Sequence, residues 1–177
     1  MSPLKNLAFF ALASLAASLQ PAIATATHND PEDVAAIREV VEAFRTSIIN
    51  KDKATFVDLF FSDKPEHVTW QMVDDDTRVA RFKEFAPEAS RVVRWPANTY
   101  LSMIDATTET NSGSFEEVFR DVTIDTDGLV ASVNFDYSVL RNGEESHWGR
   151  EMWHLVHTED GWKIISVIWS QRDPVSN

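Results

Sequence analysis

Residues 115–171 read FEEVFRDVTIDTDGLVASVNFDYSVLRNGEESHWGREMWHLVHTEDGWKIISVIWSQ. Three turn signatures interrupt this stretch: Thr126-Asp127-Gly128, Arg141-Asn142-Gly143 and Glu159-Asp160-Gly161. Asn-Gly between alternating apolar runs is a strong hairpin signal, because a type I′ turn needs positive φ at both central residues. The two Asp-Gly sites fit three-residue loops in which glycine takes the left-handed position. The stretch therefore predicts a meander of antiparallel strands.

The turns delimit four predicted strands, over 115–125, 129–140, 144–158 and 162–171. Several exceed the usual strand length of about five or six residues, so we expect the sheet to twist and curl. Gly149 falls inside the third strand, where glycine commonly marks a bulge or bend. A curved sheet of this kind implies a pocket on its concave side.

The chain before the meander has helical patterns. Asp30 is a capping residue, Pro31 suits the first helical position, and apolar residues then recur on one face from Val34 to Ile48. Asp52 is a second candidate cap, for a short helix carrying Phe56, Leu59 and Phe60. The long amphipathic helix has a natural place across the concave side of the sheet.

A first short strand is predicted over 68–73. The segment that follows, 74–114, has a less regular sequence pattern. One helix is predicted over 78–85, and a second begins at Pro96 and carries Tyr100 and Ile104.

Residues 1–26 have the layout of a secretory signal peptide. Lys5 precedes the apolar run 7–19, and Ala24-Thr25-Ala26 supplies small residues for cleavage after Ala26. The apolar run is shorter than the roughly 20 residues of a membrane-spanning helix. Without cysteine, the chain has neither disulfides nor a lipoprotein anchor. We expect an exported protein, periplasmic or secreted, whose mature chain 27–177 is one domain.

The composition is strongly acidic. The chain has 28 acidic and 16 basic side chains and a net charge of −12. Loss of Lys5 with the signal peptide makes this −13, since residues 1–26 contain no Asp or Glu. Nucleic acid and anionic membranes are bound by neutralising phosphate with Lys and Arg, so neither is an expected partner.

No metal or cofactor is predicted. The triplet Asp74-Asp75-Asp76 lacks the glycine and the terminal glutamate of a calcium loop, which favours a solvated turn or a helix cap. His154 and His157 would lie on opposite faces of a strand, so they are not placed to bind one ion together. His147 lies about 13 Å from Glu151 at the rise of a strand, which is too far for the two to chelate one ion unaided.

The order of elements resembles the NTF2-like superfamily, particularly its SnoaL-like members. The resemblance rests on that order and on Trp148-Gly149-Arg150-Glu151 and Asp160-Gly161-Trp162-Lys163-Ile164-Ile165. It implies an α+β fold over 27–177, with a cone-shaped, curved antiparallel sheet wrapped around the N-terminal helices. Such proteins include ketosteroid isomerases, polyketide cyclases, dehydratases, epoxide hydrolases and inert binding or dimerising modules, so activity must be argued from the site.

The hairpin register sorts the side chains by face. A two-residue turn at Asn142-Gly143 pairs Tyr137 with Trp148, Phe135 with Arg150, Val133 with Met152 and Ala131 with His154. The flanking loops add further residues to this predicted concave face: Phe115, Glu117, Phe119, Asp121, Ile164, Ser166 and Ile168. The face is mainly apolar with a few polar groups, as ligand pockets usually are.

The polar groups of this face are the candidate catalytic residues. His154 is the candidate for proton transfer near neutral pH, and Asp121 for orienting its imidazole or acting as base. Arg150 would hold an anionic or carbonyl oxygen, and Tyr137 would donate to a developing oxyanion. The remaining predicted substrate-binding residues are Trp148, Phe135, Met152 and Phe119.

Each of these residues also has a structural interpretation. Arg150 would then pair with Glu117, His154 would be a satisfied core histidine, Asp121 would lie at the solvated rim, and Tyr137 would only pack.

A register one residue different exchanges the two faces of the sheet. Asp136, Glu151 and Asn134 would then be the pocket residues. In the first register the opposite face contains Trp153, Leu155 and Val122, and the resemblance makes a homodimer through that face plausible, with Trp153 as its anchor.

Two functions fit this sequence. One is a cofactor-independent lyase, isomerase or cyclase that uses His154 and Asp121 for proton transfer on a small apolar or carbonyl-containing molecule. The other is a non-catalytic ligand carrier or dimerising module in which the same face binds an apolar ligand or only packs.

Overall fold

The computed structural model of the protein describes residues 27–93, 95–109 and 113–174. The predicted signal peptide, 1–26, lies outside these residues, so the predicted cleavage after Ala26 stays a prediction. Over the described ranges, no helix is both long enough and apolar enough to cross a membrane.

Helices and a single five-stranded sheet make up the described chain. The helices are α1 (Pro31–Asn50), α2 (Lys53–Asp58), α3 (Asp76–Lys83) and α4 (Tyr100–Thr108), with a short 3₁₀ helix at Pro65–His67. The strands are β1 (Thr69–Asp74), β2 (Phe115–Thr126), β3 (Val130–Arg141), β4 (Glu144–Thr158) and β5 (Gly161–Gln171). The sheet order is β1-β5-β4-β3-β2.

The predicted meander is confirmed by strands β2 to β5, which pair as consecutive antiparallel hairpins. Asn142 has φ 53° and Gly143 has φ 81°, as a type I′ turn requires. Strand β1 adds to the edge of β5 in parallel, so the complete sheet is mixed.

Helix α1 lies across the concave side of the sheet, as predicted. Its start is fixed by Asp30, whose side chain accepts from the backbone N–H of Glu32 at 2.9 Å. The apolar face includes Ile37 and Phe44, which are fully buried. The ring of Phe44 lies 4.6 Å from that of Trp153 on β4.

The two helices of the middle segment form with shifted ends. Helix α3 begins at Asp76, because the Asp75 side chain accepts from the backbone N–H of Arg78 at 2.9 Å. The acidic triplet therefore includes a helix cap. Helix α4 begins at Tyr100 rather than Pro96, because Thr99 and Ser102 form a reciprocal capping box.

The predicted register was wrong by one residue on β4. Arg141 pairs with Glu144 and Leu140 with Glu145, but Val139 then pairs with His147, so Ser146 is an extra residue that forms a bulge. Beyond the bulge every side chain of β4 exchanges faces. The concave face of β4 consists of His147, Gly149, Glu151, Trp153 and Leu155.

Two further irregularities change the predicted faces. Asp121 has φ 54° where the β2–β3 register shifts, and its side chain is exposed, while Val122 beyond it packs towards the core. The pairing of β4 with β5 shifts register between His154 and Leu155, and Val167 and Trp169 of β5 therefore face inward. Ile168, predicted to be concave, is 37% exposed.

Gly149 leaves room for the Tyr137 side chain to pass over strand β4 and reach β5. A Cβ atom at this position would lie 1.8 Å from the carbonyl oxygen of Ser170 and 3.0 Å from the ring of Tyr137. The Tyr137 hydroxyl donates to that same carbonyl oxygen at 3.0 Å. A glycine is therefore required where Tyr137, β4 and β5 meet.

The concave side has two distinct ends. The filled end is packed by aromatic rings from the helices and the sheet: Phe44, Phe56, Phe60, Phe119, Phe135 and Trp153. The open end, which contains Trp70, Phe115, Glu117, Tyr137, Glu151 and Trp169, faces a cavity instead.

Candidate functional site

The cavity at the open end has a volume of about 500 Å³. The sheet provides one side, and residues around α4, including Asn98, Met103 and Thr107, provide the other. Its walls are largely aromatic or thioether side chains: Trp70, Met72, Trp95, Met103, Phe115 and Trp169. A mainly apolar cavity of this size with a few polar groups is typical of a small-molecule site.

Glu117 of β2 is the first of two buried glutamates in this cavity. Its side chain faces inward opposite Val139, the residue is 7% exposed, and its Oε2 atom has no hydrogen-bond partner. Burial raises the pKa of Glu117 well above its ordinary value, and the charge of nearby Glu151 raises it further. Both effects favour the protonated form of Glu117, which has a proton to donate.

Glu151 of β4 is the second buried glutamate and is 5% exposed. The indole Nε1–H of Trp153 donates to Glu151 Oε2 at 2.7 Å. Burial raises the pKa of Glu151 to about 7, although the hydrogen bond from Trp153 acts in the opposite direction. Near neutral pH a large fraction of Glu151 is therefore ionised and can accept a proton.

Tyr137 lies between the two glutamates on the sheet. Glu117 is opposite Val139 and Glu151 is opposite Phe135, so Tyr137 occupies the position between them on β3. Burial, followed by the two carboxylate charges, raises the pKa of Tyr137. Its hydroxyl group donates to the carbonyl of Ser170, so its hydrogen is already used within the protein.

Trp70, His147 and Arg141 are among the further residues with polar groups that line the cavity. Trp70 Nε1 is buried without a hydrogen-bond partner and is free to donate to a ligand. Burial, with the charges of Arg78 and Arg141, lowers the pKa of His147 to about 4, so its imidazole is neutral at pH 7. The guanidinium of Arg141 lies over the Phe115 ring, 4.9 Å from its centre.

The structure brings together only part of the predicted site. Tyr137 lines the cavity, whereas Phe119 and Phe135 pack in the filled end. Asp121 is exposed at the β2 bulge, far from its predicted partner His154 in the strand register.

The four predicted residues of β4 lie on the outer face because of the Ser146 bulge. Arg150 pairs with Asp136 at 3.1 Å, and His154 is exposed. Met152 is 47% exposed, and Trp148 donates to the Asp173 carbonyl. The prediction that these four side chains line one pocket was therefore wrong.

Sequence reasoning missed the glutamate pair as a unit. The predicted register correctly places Glu117 on the concave face, but the only role given to it is to pair with Arg150, and Glu151 is a predicted pocket residue only in the alternative register. Apolar alternation along β4 does not decide between the two registers, because Trp153 and Leu155 fall in one set while Trp148, Met152 and Val156 fall in the other.

The residues predicted to form a dimer interface are inside the protein. Trp153 and Leu155 are almost fully buried, and Val122 packs against the core. They cannot anchor an outer-face contact, and association of two copies through other residues stays a prediction.

A second depression, of about 480 Å³, lies near the β2–β3 hairpin and includes His28, Asp125, Ser132 and His154. His28 and Asp125 form an ion pair at 3.0 Å, and both side chains are mostly exposed. None of the buried polar atoms without partners in the described chain belongs to the residues that line it. The cavity of the open end is the better candidate site.

Metal ligands are not assembled among the described residues, where no three His, Asp or Glu side chains form a group that could hold an ion.

No protein-family model matches the sequence, and no curated protein matches it. Solved structures do match. An NTF2-like protein with a cystatin-like fold from Novosphingobium aromaticivorans superposes with a TM-score of 0.56 at 14% identity, over 82% of this chain and 86% of that one. The protein has the NTF2-like fold.

Two further NTF2-like structures agree with this assignment. A protein of unknown function from Pseudomonas putida KT2440 gives a TM-score of 0.57 at 11% identity, over 83% of this chain and 92% of that one. A candidate dehydratase from Streptomyces avermitilis gives 0.54 at 17% identity, over 83% of this chain and all of that one. At such identities the likeness establishes the NTF2-like fold alone, and the SnoaL-like relationship stays a prediction.

Proposed function

We propose that this NTF2-like protein is a cofactor-independent enzyme of the lyase, isomerase or cyclase kind that works by proton transfer in the cavity of the open end. The observation that carries the proposal is the pair of buried glutamates, Glu117 and Glu151, on one aromatic wall. Burying two carboxyl groups is costly, and neither has a basic partner among the described residues. Such an arrangement is typical of functional sites.

The two groups have complementary roles. Glu151, as carboxylate, takes a proton from a carbon atom next to a ligand carbonyl. Glu117, as carboxylic acid, donates its proton to the carbonyl oxygen, or to a hydroxyl group that leaves as water. The pKa of Glu151, about 7, suits a general base that works near neutral pH.

Elimination of water needs one acid and one base, and the glutamate pair supplies both. The structural likeness to a candidate dehydratase is consistent with this class, although it extends only to the fold. The apolar walls favour a small apolar molecule with a carbonyl group, and Trp70 Nε1 is a further donor for its oxygen.

The test is carbon-bound hydrogen exchange, because it needs only the first half of the reaction. A panel of aryl and cyclic ketones is incubated with the protein in D₂O, and deuterium uptake beside the carbonyl is followed by NMR. We expect Glu151→Gln to slow this exchange at least about 10²-fold, the usual loss for a general base. Glu144→Gln removes an exposed glutamate of the same strand and should leave the rate unchanged.

If wild-type protein binds ketones without accelerating exchange, the proposed enzymatic activity is contradicted and the alternative, a non-catalytic ligand carrier, is favoured. Equal rates for wild type and Glu151→Gln would contradict the role of Glu151. Exchange carried out at several pH values should increase across pH 7, since Glu151 must lose its proton to act.

Export and self-association complete the proposal. Export rests on the layout of residues 1–26, and N-terminal sequencing of protein recovered outside the cytoplasm should begin at Thr27. An unprocessed N-terminus would contradict it. Sedimentation of the mature chain measures whether it is a homodimer.

A further inference from the structure

The chemical class of the ligand can be narrowed by one arginine at the edge of the cavity. Arg141 ends β3, lines the cavity and stacks on Phe115. Its guanidinium makes no ion pair with a carboxylate of the described ranges. Other arginines, such as Arg45 and Arg150, each hold a carboxylate. Arg141 is thus a cation available to a ligand.

The position of Arg141 suits recognition better than catalysis. It is exposed, whereas Glu151 is buried further along the sheet. Arg141 is six residue steps along β3 from Phe135, which pairs with Glu151, and this corresponds to about 20 Å of strand. A ligand that reaches from the Arg141 guanidinium towards the glutamates therefore lies along the aromatic walls.

The aromatic walls and the Arg141 guanidinium suit two different parts of one ligand. Trp70, Phe115 and Trp169 offer ring faces and edges to a flat aromatic body. The guanidinium of Arg141 presents a planar fork of N–H donors that matches a carboxylate. A single negative charge at the edge is also compatible with the buried glutamates, because it stays away from Glu151.

We propose that the cavity binds an aromatic carboxylate, with the ring system against the side chains of Trp70, Phe115 and Trp169 and the carboxylate on Arg141. The inference rests on the proposed function only in taking this cavity as the ligand site. It adds that Arg141 determines specificity for an acid over the neutral compound of the same shape.

The acidic surface does not prevent this binding. The net charge is −12, but charges more than about 8 Å apart are largely screened at physiological ionic strength. The guanidinium of Arg141 is in direct contact with the bound carboxylate and is therefore the charge that matters.

The test compares two probes of nearly equal shape, naphthoate and naphthamide, by quenching of tryptophan fluorescence or by calorimetry. We expect wild-type protein to bind naphthoate about tenfold more tightly than naphthamide, as one charged hydrogen-bonded pair allows. Arg141→Gln should abolish this preference and leave naphthamide affinity unchanged. Arg120→Gln changes an exposed arginine that bonds to Ser138 instead, and it should retain the preference.

Equal affinity of wild-type protein for the two probes, a preference that survives Arg141→Gln, or no measurable binding of either probe would overturn the inference. The outcome is separable from that of the proposed function. The proposed function fails if wild-type protein does not accelerate ketone exchange, whereas this inference fails if wild-type protein does not prefer naphthoate. Glu151→Gln should lose ketone exchange but keep the naphthoate preference.

Discussion

The filled end and the open end of the concave face are built from the same kinds of side chain and serve different purposes. In the filled end, Phe44 of α1 lies 4.6 Å from the Trp153 ring and 4.9 Å from the Phe56 ring. In the open end, Trp70 and Trp169 are neighbours at 4.8 Å but also face the cavity. The filled end supplies stability, while the open end leaves its rings and two glutamates available to a ligand.

The two ends are connected through a single side chain. The ring of Trp153 packs in the filled end, and its Nε1–H holds Glu151 of the open end. The rigid end therefore positions the proposed base, which is how a precise site is supported by its surroundings. Variants that affect one end more than the other test this division.

The largest expected effect is on stability at the filled end. Phe44→Ala removes a fully packed ring, and we expect the free energy of unfolding to fall by about 4 kcal/mol, because both apolar burial and packing are lost. Urea denaturation monitored by tryptophan fluorescence measures the change. Phe85→Ala removes a ring that is mostly exposed and should change stability by less than about 0.5 kcal/mol. Similar losses for the two variants would contradict the proposed role of the filled end.

A smaller effect of opposite sign is expected at the open end. The folded-state pKa of Glu151 is about 7, above the ordinary 4.5, so the folded protein holds this proton in a pH range where the unfolded chain has lost it. The contribution of Glu151 to stability therefore falls as pH rises from about 4.5 to about 7. Glu151→Gln has no such loss.

We expect Glu151→Gln to become more stable relative to wild type across that range, by an amount on the order of 3 kcal/mol. His147 has a lowered pKa and contributes the opposite pH dependence, but it does so in both proteins and cancels in the difference. Unfolding in urea at a series of pH values gives the difference directly. A difference that does not depend on pH would rule out the raised pKa.

The smallest effect is expected for Tyr137→Phe. The variant loses the hydrogen bond to the Ser170 carbonyl, and we expect a cost of about 1 kcal/mol in urea denaturation. Ketone exchange should change little, because the hydroxyl hydrogen is already used within the protein. A loss of about 10²-fold in exchange would instead support the oxyanion role that the sequence suggested for Tyr137.

Much of the fold was predictable because its signals are local. Asn142-Gly143 forms the expected turn with both residues at positive φ, and Asp30 and Asp52 cap the helices that follow them. The phase of β3 was also predicted, since Phe135 and Tyr137 point inward. Each of these features depends on a few neighbouring residues.

The site was not predictable in the same way, because it depends on bulges. Ser146 is one extra residue in β4, with nothing in its own chemistry to mark it, yet it exchanges Arg150 for Glu151 on the concave face. Glutamate is also among the residue types least often buried, so Glu151 was a poor candidate for an apolar wall, although the register already placed Glu117 there. Only the assembled sheet shows that they share a cavity.

The central claim is that Glu151 is a base with a pKa near neutrality, held in an aromatic cavity. ¹³C NMR of glutamate side-chain carboxyl carbons, recorded from pH 4 to pH 9 on the mature chain, tests it most directly, with Glu151→Gln to identify the signal. We predict one carboxyl that titrates near pH 7 and is absent from the variant. A Glu151 signal that titrates near the ordinary value of 4.5 would contradict the claim.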